Sequence, residues 1–180
     1  MRLRPATPED VPAIQAIYAH HVLTGLGTFE EIPPTEGEMA SRIAAVVERG
    51  LPWLVAESGE VLGYAYAGPF RTRAAYRFTV EDSVYVGQTA RGSGVGKALL
   101  AALIADCEAM GLRQMVGVIG DSGNAASIAL HRSLGFEMTA TAPAVGWKFE
   151  RWVDVVWMQR ALGPGAAAAP DGLGIGGMGP

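Results

Sequence analysis

Gly92, Gly94 and Gly96 alternate inside the stretch Gln88 to Lys97, Gln-Thr-Ala-Arg-Gly-Ser-Gly-Val-Gly-Lys, and this stretch restricts the fold more than any other part of the chain. Before it, Thr79-Val80-Glu81-Asp82-Ser83-Val84-Tyr85-Val86 is rich in β-branched residues and bounded by Gly87. After it, Ala98-Leu99-Leu100-Ala101-Ala102-Leu103-Ile104 consists of strong helix formers. The segment therefore reads as strand, glycine turn and helix start. Small residues let backbone N–H groups approach a ligand, and the first helical turn adds unpaired donors and the positive end of a dipole. Such a bend suits an anion, and a phosphate-bearing guest above all.

Two familiar phosphate loops do not fit. The nucleoside-triphosphate loop needs Gly, four residues and Gly-Lys-Ser/Thr, but Arg91 stands five before Gly96 and Ala98 follows Lys97. The dinucleotide fingerprint Gly-x-Gly-x-x-Gly would need glycine at Lys97 or Leu99. Arg91-Gly92-Ser93-Gly94-Val95-Gly96 does fit Gln/Arg-x-x-Gly-x-Gly/Ala, and here the chain resembles the GNAT superfamily of N-acetyltransferases. The resemblance implies that the loop, Arg91 to Lys97, holds the pyrophosphate of acetyl-CoA, the acetyl donor.

A chain of 180 residues suits one domain, expected over residues 1–162. Residues 163–180 are almost wholly glycine, alanine and proline, a composition expected to leave a flexible tail. The net charge of −4 and pI near 5.4 argue against a general nucleic-acid binder, which needs a basic excess to displace counterions. Cys107 is the single cysteine, so no internal disulfide or cysteine-based zinc site is expected; at helical spacing among apolar residues it reads as packing. The pair His20-His21 lacks further ligands for a metal and reads as exposed or capping a helix end. With no signal-peptide core behind Met1-Arg2-Leu3-Arg4-Pro5 and no membrane-length apolar run, a cytoplasmic protein without membrane attachment is expected.

Taken in order, Leu3-Arg4 is a strand, and Thr7-Pro8 with Asp10 opens a helix that runs towards Val22. Thr35 and Glu38 form a capping box for a second helix that stops at Gly50. Trp53 to Glu57 and Val61 to Ala67 read as a hairpin, Gln114 to Ile119 as a strand, and Asn124 to Ser133 as a helix ended by Gly135. Phe136 to Thr141 and Trp152 to Gln159 are the last strands. The fold class is α/β, with a mixed, mostly antiparallel central sheet flanked by helices. The order matches the GNAT fold over about residues 2 to 160, and the resemblance implies a sheet splayed between its two central strands.

A closer resemblance lies in Gly68-Pro69-Phe70-Arg71-Thr72-Arg73-Ala74-Ala75-Tyr76-Arg77-Phe78-Thr79-Val80-Glu81, in Thr28-Phe29-Glu30 and in Gly146-Trp147-Lys148. These segments are similar to the phosphinothricin N-acetyltransferase branch, which acetylates the α-amine of phosphinothricin or methionine sulfoximine. Acetyl transfer to an amine needs a base, a polarised carbonyl and a proton for the leaving thiolate. Strand alternation puts Glu81 and Tyr85 on one face, where a partly desolvated carboxylate makes a suitable base; the resemblance selects Glu81 over Asp82. The resemblance also implies carbonyl polarisation by backbone N–H groups of Val84 and Val86. It places His131 where relatives carry a tyrosine as general acid, with Tyr85 or solvent as the other possible donor. Asn124 caps the following helix; by resemblance it and Ser127 contact the pantetheine arm. Arg71, Arg73 and Lys148 are candidates for the anionic groups of an amino-acid-like substrate. Ala74, Ala75, Tyr76, Phe29 and Glu30 complete the expected acceptor pocket, the last two possibly reached from a partner chain, since the family habit is a homodimer.

Two other readings remain at the level of sequence. One keeps acetyl-CoA but changes the acceptor to a polyamine, an aminoglycoside or a protein amino terminus; such cationic acceptors favour acidic pockets, whereas Arg71, Arg73 and Lys148 favour an anionic one. The other is a non-catalytic acyl-CoA-binding module.

Overall fold

The computed structural model describes residues 1–176. The chain runs β1 (Arg2–Pro5), α1 (Val11–Thr24), α2 (Glu36–Val47), β2 (Trp53–Glu57), β3 (Val61–Pro69), β4 (Thr79–Val86), α3 (Val95–Ala109), β5 (Gln114–Gly120), α4 (Ala125–Ser133), β6 (Glu137–Lys148) and β7 (Arg151–Ala161). The strands form one sheet in the order β1-β2-β3-β4-β5-β7-β6, in which β4 and β5 are parallel and every other pair antiparallel.

Local chemistry sets the helix starts. The Asp10 carboxylate accepts from Thr7 N–H at 2.8 Å and from the Arg4 guanidinium at 2.6 and 2.8 Å, which ties α1 to the first strand. Thr35 Oγ1 accepts from Glu38 N–H at 3.2 Å and Glu38 Oε2 accepts from Thr35 N–H at 2.7 Å, closing the capping box of α2. α1 and α2 cover one face of the sheet through Ile14, Tyr18, Val22, Met39 and Ile43, packed on Trp53, Val55 and Tyr64. α3 covers the other through Leu99, Leu100, Leu103 and Cys107, packed on Ala65, Ala67, Val80 and Met115. Cys107 is fully buried, and that burial pushes its thiol up to about 12.

One feature of the sheet positions everything functional. β4 pairs with β5 from Thr79–Gln114 only as far as Asp82–Gly117, although β4 continues to Val86 and β5 to Gly120. The two central strands therefore part after Asp82 and Gly117, opening a fork at the carboxyl end of β4.

Two expectations need correction. β6 does not end near Thr141 but runs to Lys148, through a register irregularity between Ala142 and Gly146 that contains Pro143. Proline has no N–H for a ladder, and it is tolerated here because β6 is an edge strand. The segment after residue 162 is not a free tail over its described part. Ile175 is 2 % exposed and belongs to the α3-side core, its N–H donates to Arg77 O at 2.8 Å, and Ala169 O accepts from the Arg113 guanidinium at 3.0 Å. A single branched side chain gives this glycine-rich stretch the apolar burial that its average composition hides. Residues 177–180, also assigned to the tail, lie outside the described residues.

Ile175→Ala should lower unfolding free energy in urea by about 2–4 kcal/mol, the cost of removing a buried isoleucine. An unchanged midpoint would mean that the segment does not hold this position in solution.

Candidate functional site

The fork opens into a cleft of about 590 Å³ between β4, the glycine-rich turn, α4 and the end of α1. Gly92 and Gly94 have φ of +77° and +86°, a left-handed conformation costly for any residue with a Cβ. Nothing stands within 4 Å of where a Cβ would project from either, so the backbone faces open space. The first helical bond of α3 is Ala98 N–H to Gly94 O, at 3.0 Å; the N–H groups of Val95, Gly96 and Lys97 precede it and form the helix mouth. Val95 turns its side chain into the core, 2 % exposed, and offers only backbone. Ser93 Oγ donates to Ala90 O at 2.6 Å, tightening the turn, while Arg91 and Lys97 stand exposed beside it. This mouth is built for an anion.

The inner wall comes from β4. Gly87 N–H donates to Leu62 O on the β3 side at 2.8 Å, and by strand alternation Tyr85 N–H faces the same way. The N–H groups of Val84 and Val86 therefore point into the gap left by β5. Val86 O is already occupied, accepting from His21 Nε2–H at 3.0 Å. His21 thus lines the cleft and holds the loose end of β4, a role its sequence neighbourhood did not reveal, because the contact spans 65 residues. Burial lowers its pKa, against the opposing effect of the Val86 carbonyl.

On the opposite wall, Asn124 Oδ1 accepts from Ser127 N–H at 3.2 Å and Asn124 Nδ2 donates to Gly120 O at 3.0 Å, so one side chain caps α4 and ties it to the end of β5. Ser127 follows one turn into the cleft, and His131 one turn further. His131 is 4 % exposed, with Nε2 3.0 Å from Asp82 Oδ2 and Nδ1–H donating to Ser127 O at 2.8 Å. Burial alone would lower its pKa; the Asp82 hydrogen bond and charge and the Ser127 carbonyl outweigh it, and the net direction is up.

Glu81 lies on the other face of β4, half-buried. Among the described residues no side chain or backbone N–H donates a hydrogen bond to its carboxylate. Burial raises its pKa, the positive charge of Arg71 works against that rise, and the negative charge of Asp82 adds to it. Tyr85, on the same face, is packed edge-on against Tyr18 and His21 at ring distances of 5.0 and 5.2 Å, and burial pushes its phenol well up. Arg71 donates to Phe70 O at 2.7 Å and lies over the rings of Phe70 and Trp157, at 4.2 and 5.5 Å. Arg73 precedes the short 3₁₀ turn Ala74–Tyr76, where Ala75 and Tyr76 are exposed.

The remaining acceptor-side residues form a different constellation. Glu30 is held bidentately by Arg42, at 2.7 and 3.1 Å, and accepts from Tyr18 Oη at 2.8 Å. Tyr18 Oη also lies 2.9 Å from Thr28 Oγ1. Lys148 is 1 % exposed and its ammonium donates to Thr28 O at 2.7 Å, with its pKa lowered by burial. Lys148 therefore fastens the loop after α1 to β6 instead of presenting a free cation, and Glu30 is committed to the same network. Phe29 leaves that loop 40 % exposed, its ring against the backbone of Gly146.

The chain is similar to known proteins along most of its length. The acetyltransferase (GNAT) family model matches residues 14–136. The chain is 52% identical over 170 residues to a phosphinothricin N-acetyltransferase of Alcaligenes faecalis, covering 94% of this chain and 86% of that one. It is 45% identical over 168 residues to an L-methionine sulfoximine/L-methionine sulfone acetyltransferase of Pseudomonas aeruginosa, covering 92% and 97%. A GNAT superfamily phosphinothricin acetyltransferase from Sinorhizobium meliloti, crystallised in complex with AcCoA, superposes with a TM-score of 0.93 at 48% identity, covering 98% of this chain and 96% of that one.

Lys148→Met would leave the buried Thr28 carbonyl without its donor, at a cost of about 1–3 kcal/mol. Hydrogen exchange should show faster turnover of amides in residues 25–34 while those of α3 keep their protection.

Proposed function

Because this chain belongs to the GNAT acetyltransferase family, we propose that it transfers the acetyl group of acetyl-CoA to the α-amine of a small amino acid or analogue, with phosphinothricin and methionine sulfoximine or sulfone as the leading acceptors. Acetyl-CoA, when bound, supplies an activated thioester. The residues present suit it: the glycine-rich mouth offers N–H groups to a diphosphate, and Asn124 and Ser127 offer polar contacts along the cleft.

The observation that carries this reading is the position of Glu81, a half-buried carboxylate without a donor of its own, on the strand whose next turns present the Val84 and Val86 N–H groups to the fork. Glu81 acts as base and takes a proton from the acceptor amine. The two N–H groups bear on the acetyl oxygen as charge develops there. The nitrogen–carbon bond forms as the carbon–sulfur bond breaks; the amine proton goes to Glu81, and the sulfur takes the Nε2 proton of His131, which leaves its contact with Asp82 Oδ2 to make the transfer, after which solvent exchange restores both residues. His131 is favoured over Tyr85 for this role because the Tyr85 ring is packed among Tyr18, His21 and Tyr64 in the core beneath α1. Arg71, braced on Phe70 and Trp157, and Arg73 bind the acceptor's anionic groups. The expected homodimer finds support in the exposed Val145, Trp147, Phe149 and Trp152 around the β6–β7 turn.

Glu81→Gln should lower turnover by about two to four orders of magnitude while acetyl-CoA affinity, read by calorimetry, stays within a few-fold. In the unaltered protein, kcat/KM for the acceptor should fall as pH drops through a midpoint above the ordinary 4.5 of glutamate, since a base must be ionised and burial raises this one. A thiol-release assay across amino acids and analogues tests the acceptor class, and the absence of amine-dependent release with every acceptor would reject transferase function.

A further inference from the structure

Asp82 occupies the last rung of the sheet before the fork, opposite Gly117. Its side chain is 1 % exposed and lies on the cleft wall; Oδ2 meets His131 Nε2, and Oδ1 is buried without a hydrogen-bond partner among the described residues. A buried carboxylate with one oxygen unmatched is costly, so it persists only where something depends on it.

The His131 ring is fixed on every side. Nδ1 must carry a hydrogen, because its partner, Ser127 O, can only accept. Nε2 faces a carboxylate oxygen, so a second proton lies between Nε2 and Oδ2. The ring stands edge-on to Phe136 at 5.0 Å and rests on the bare backbone of Gly117, where a Cβ would fall 2.9 Å from the ring and 3.3 Å from Asp82 Oδ1. The other ionisable groups around it do not compete for that proton. Cys107, on α3, is a neutral thiol, and Glu81, next to Asp82 in sequence, projects from the opposite face towards Arg71.

We propose that Asp82 is a positioning residue of the transfer reaction: its carboxylate fixes the His131 imidazolium at the fork of the sheet and so keeps a proton in store on the cleft side, while Glu81 stays free to accept one on the other. The proposal rests on the proton-donor role given to His131 above. Asp82 also adds negative charge beside Glu81, so one residue biases both proton-handling groups in the same direction.

The test pairs a titration of the ligand-free protein with a rate profile. Imidazole ¹⁵N resonances of His20, His21 and His131 are followed against pH in the unaltered protein and in Asp82→Asn, and kcat for acetyl transfer is measured over the same range. His131 should titrate above 6.5 in the unaltered protein and at least about one unit lower in the variant, a tenfold change in proton affinity. The variant's kcat should fall about tenfold or more above pH 7, with both KM values within threefold. Because the folded midpoint of His131 is raised, the extra stability of the unaltered protein over Asp82→Asn should be fully present below pH 6.5 and vanish as pH rises through that midpoint. An unshifted His131 in the variant overturns the proposal, as does a shifted His131 with an unaltered kcat profile. If Asp82→Asn does not fold, Asp82→Ser serves instead, and a His131 that titrates at or below 6.5 in the unaltered protein is decisive against it alone. An unaltered protein that binds acetyl-CoA yet acetylates no amine overturns the enzymatic reading, and the positioning role with it; normal transfer without the expected titration removes the positioning role only.

Discussion

The parting of β4 from β5 after the Asp82–Gly117 rung is the constraint on which the rest depends. A parallel pair of central strands normally satisfies its backbone groups along its whole length, and leaving residues 83–86 without a β5 partner gives up several hydrogen bonds in the middle of the molecule. Two side chains limit that loss. His21 donates to Val86 O on one strand, and Asn124 donates to Gly120 O at the end of the other. What remains unmatched is the donor side of Val84 and Val86, next to the helix mouth of α3. The fold thus occupies the Val86 and Gly120 carbonyls and leaves the Val84 and Val86 donors beside the helix mouth, where an electron-rich guest can use them.

The acceptor side is braced by a chain of contacts from β6 to α2: Lys148 to Thr28, Thr28 to Tyr18, Tyr18 to Glu30, Glu30 to Arg42. The outer pair is largely exposed and contributes little by itself. The inner members are buried and polar, so each depends on its neighbour to stay satisfied. This wiring, more than sheet or helix, gives the loop after α1 a defined path.

Much of this was legible in the residues, and what was not has a common cause. The strand, turn and helix around Gly92 to Gly96 follow from local patterns, and alternation along β4 correctly put Glu81 and Tyr85 on one face. The resemblance points to Glu81 and leaves Asp82 without a role, because the contact of Asp82 with His131, 49 residues away, forms only on folding. His21 was hidden for the same reason. Lys148 was read as a free cation, since nothing in its neighbourhood announces that its ammonium will be buried on a carbonyl. β6 carries Pro143, a residue that ordinarily argues against a continuing strand, and tolerates it as an edge. Ile175 was lost in the average of the glycine and alanine around it.

Cys107 gives the molecule a property unrelated to its chemistry. As the lone sulfhydryl of the sequence, sealed under the inner face of α3 and held protonated by its surroundings, it should stay silent towards electrophilic dyes as long as the native packing lasts. Whatever labelling does occur counts the moments at which that helix lifts from the sheet, so a slow-reacting atom doubles as a clock for the opening of the interior.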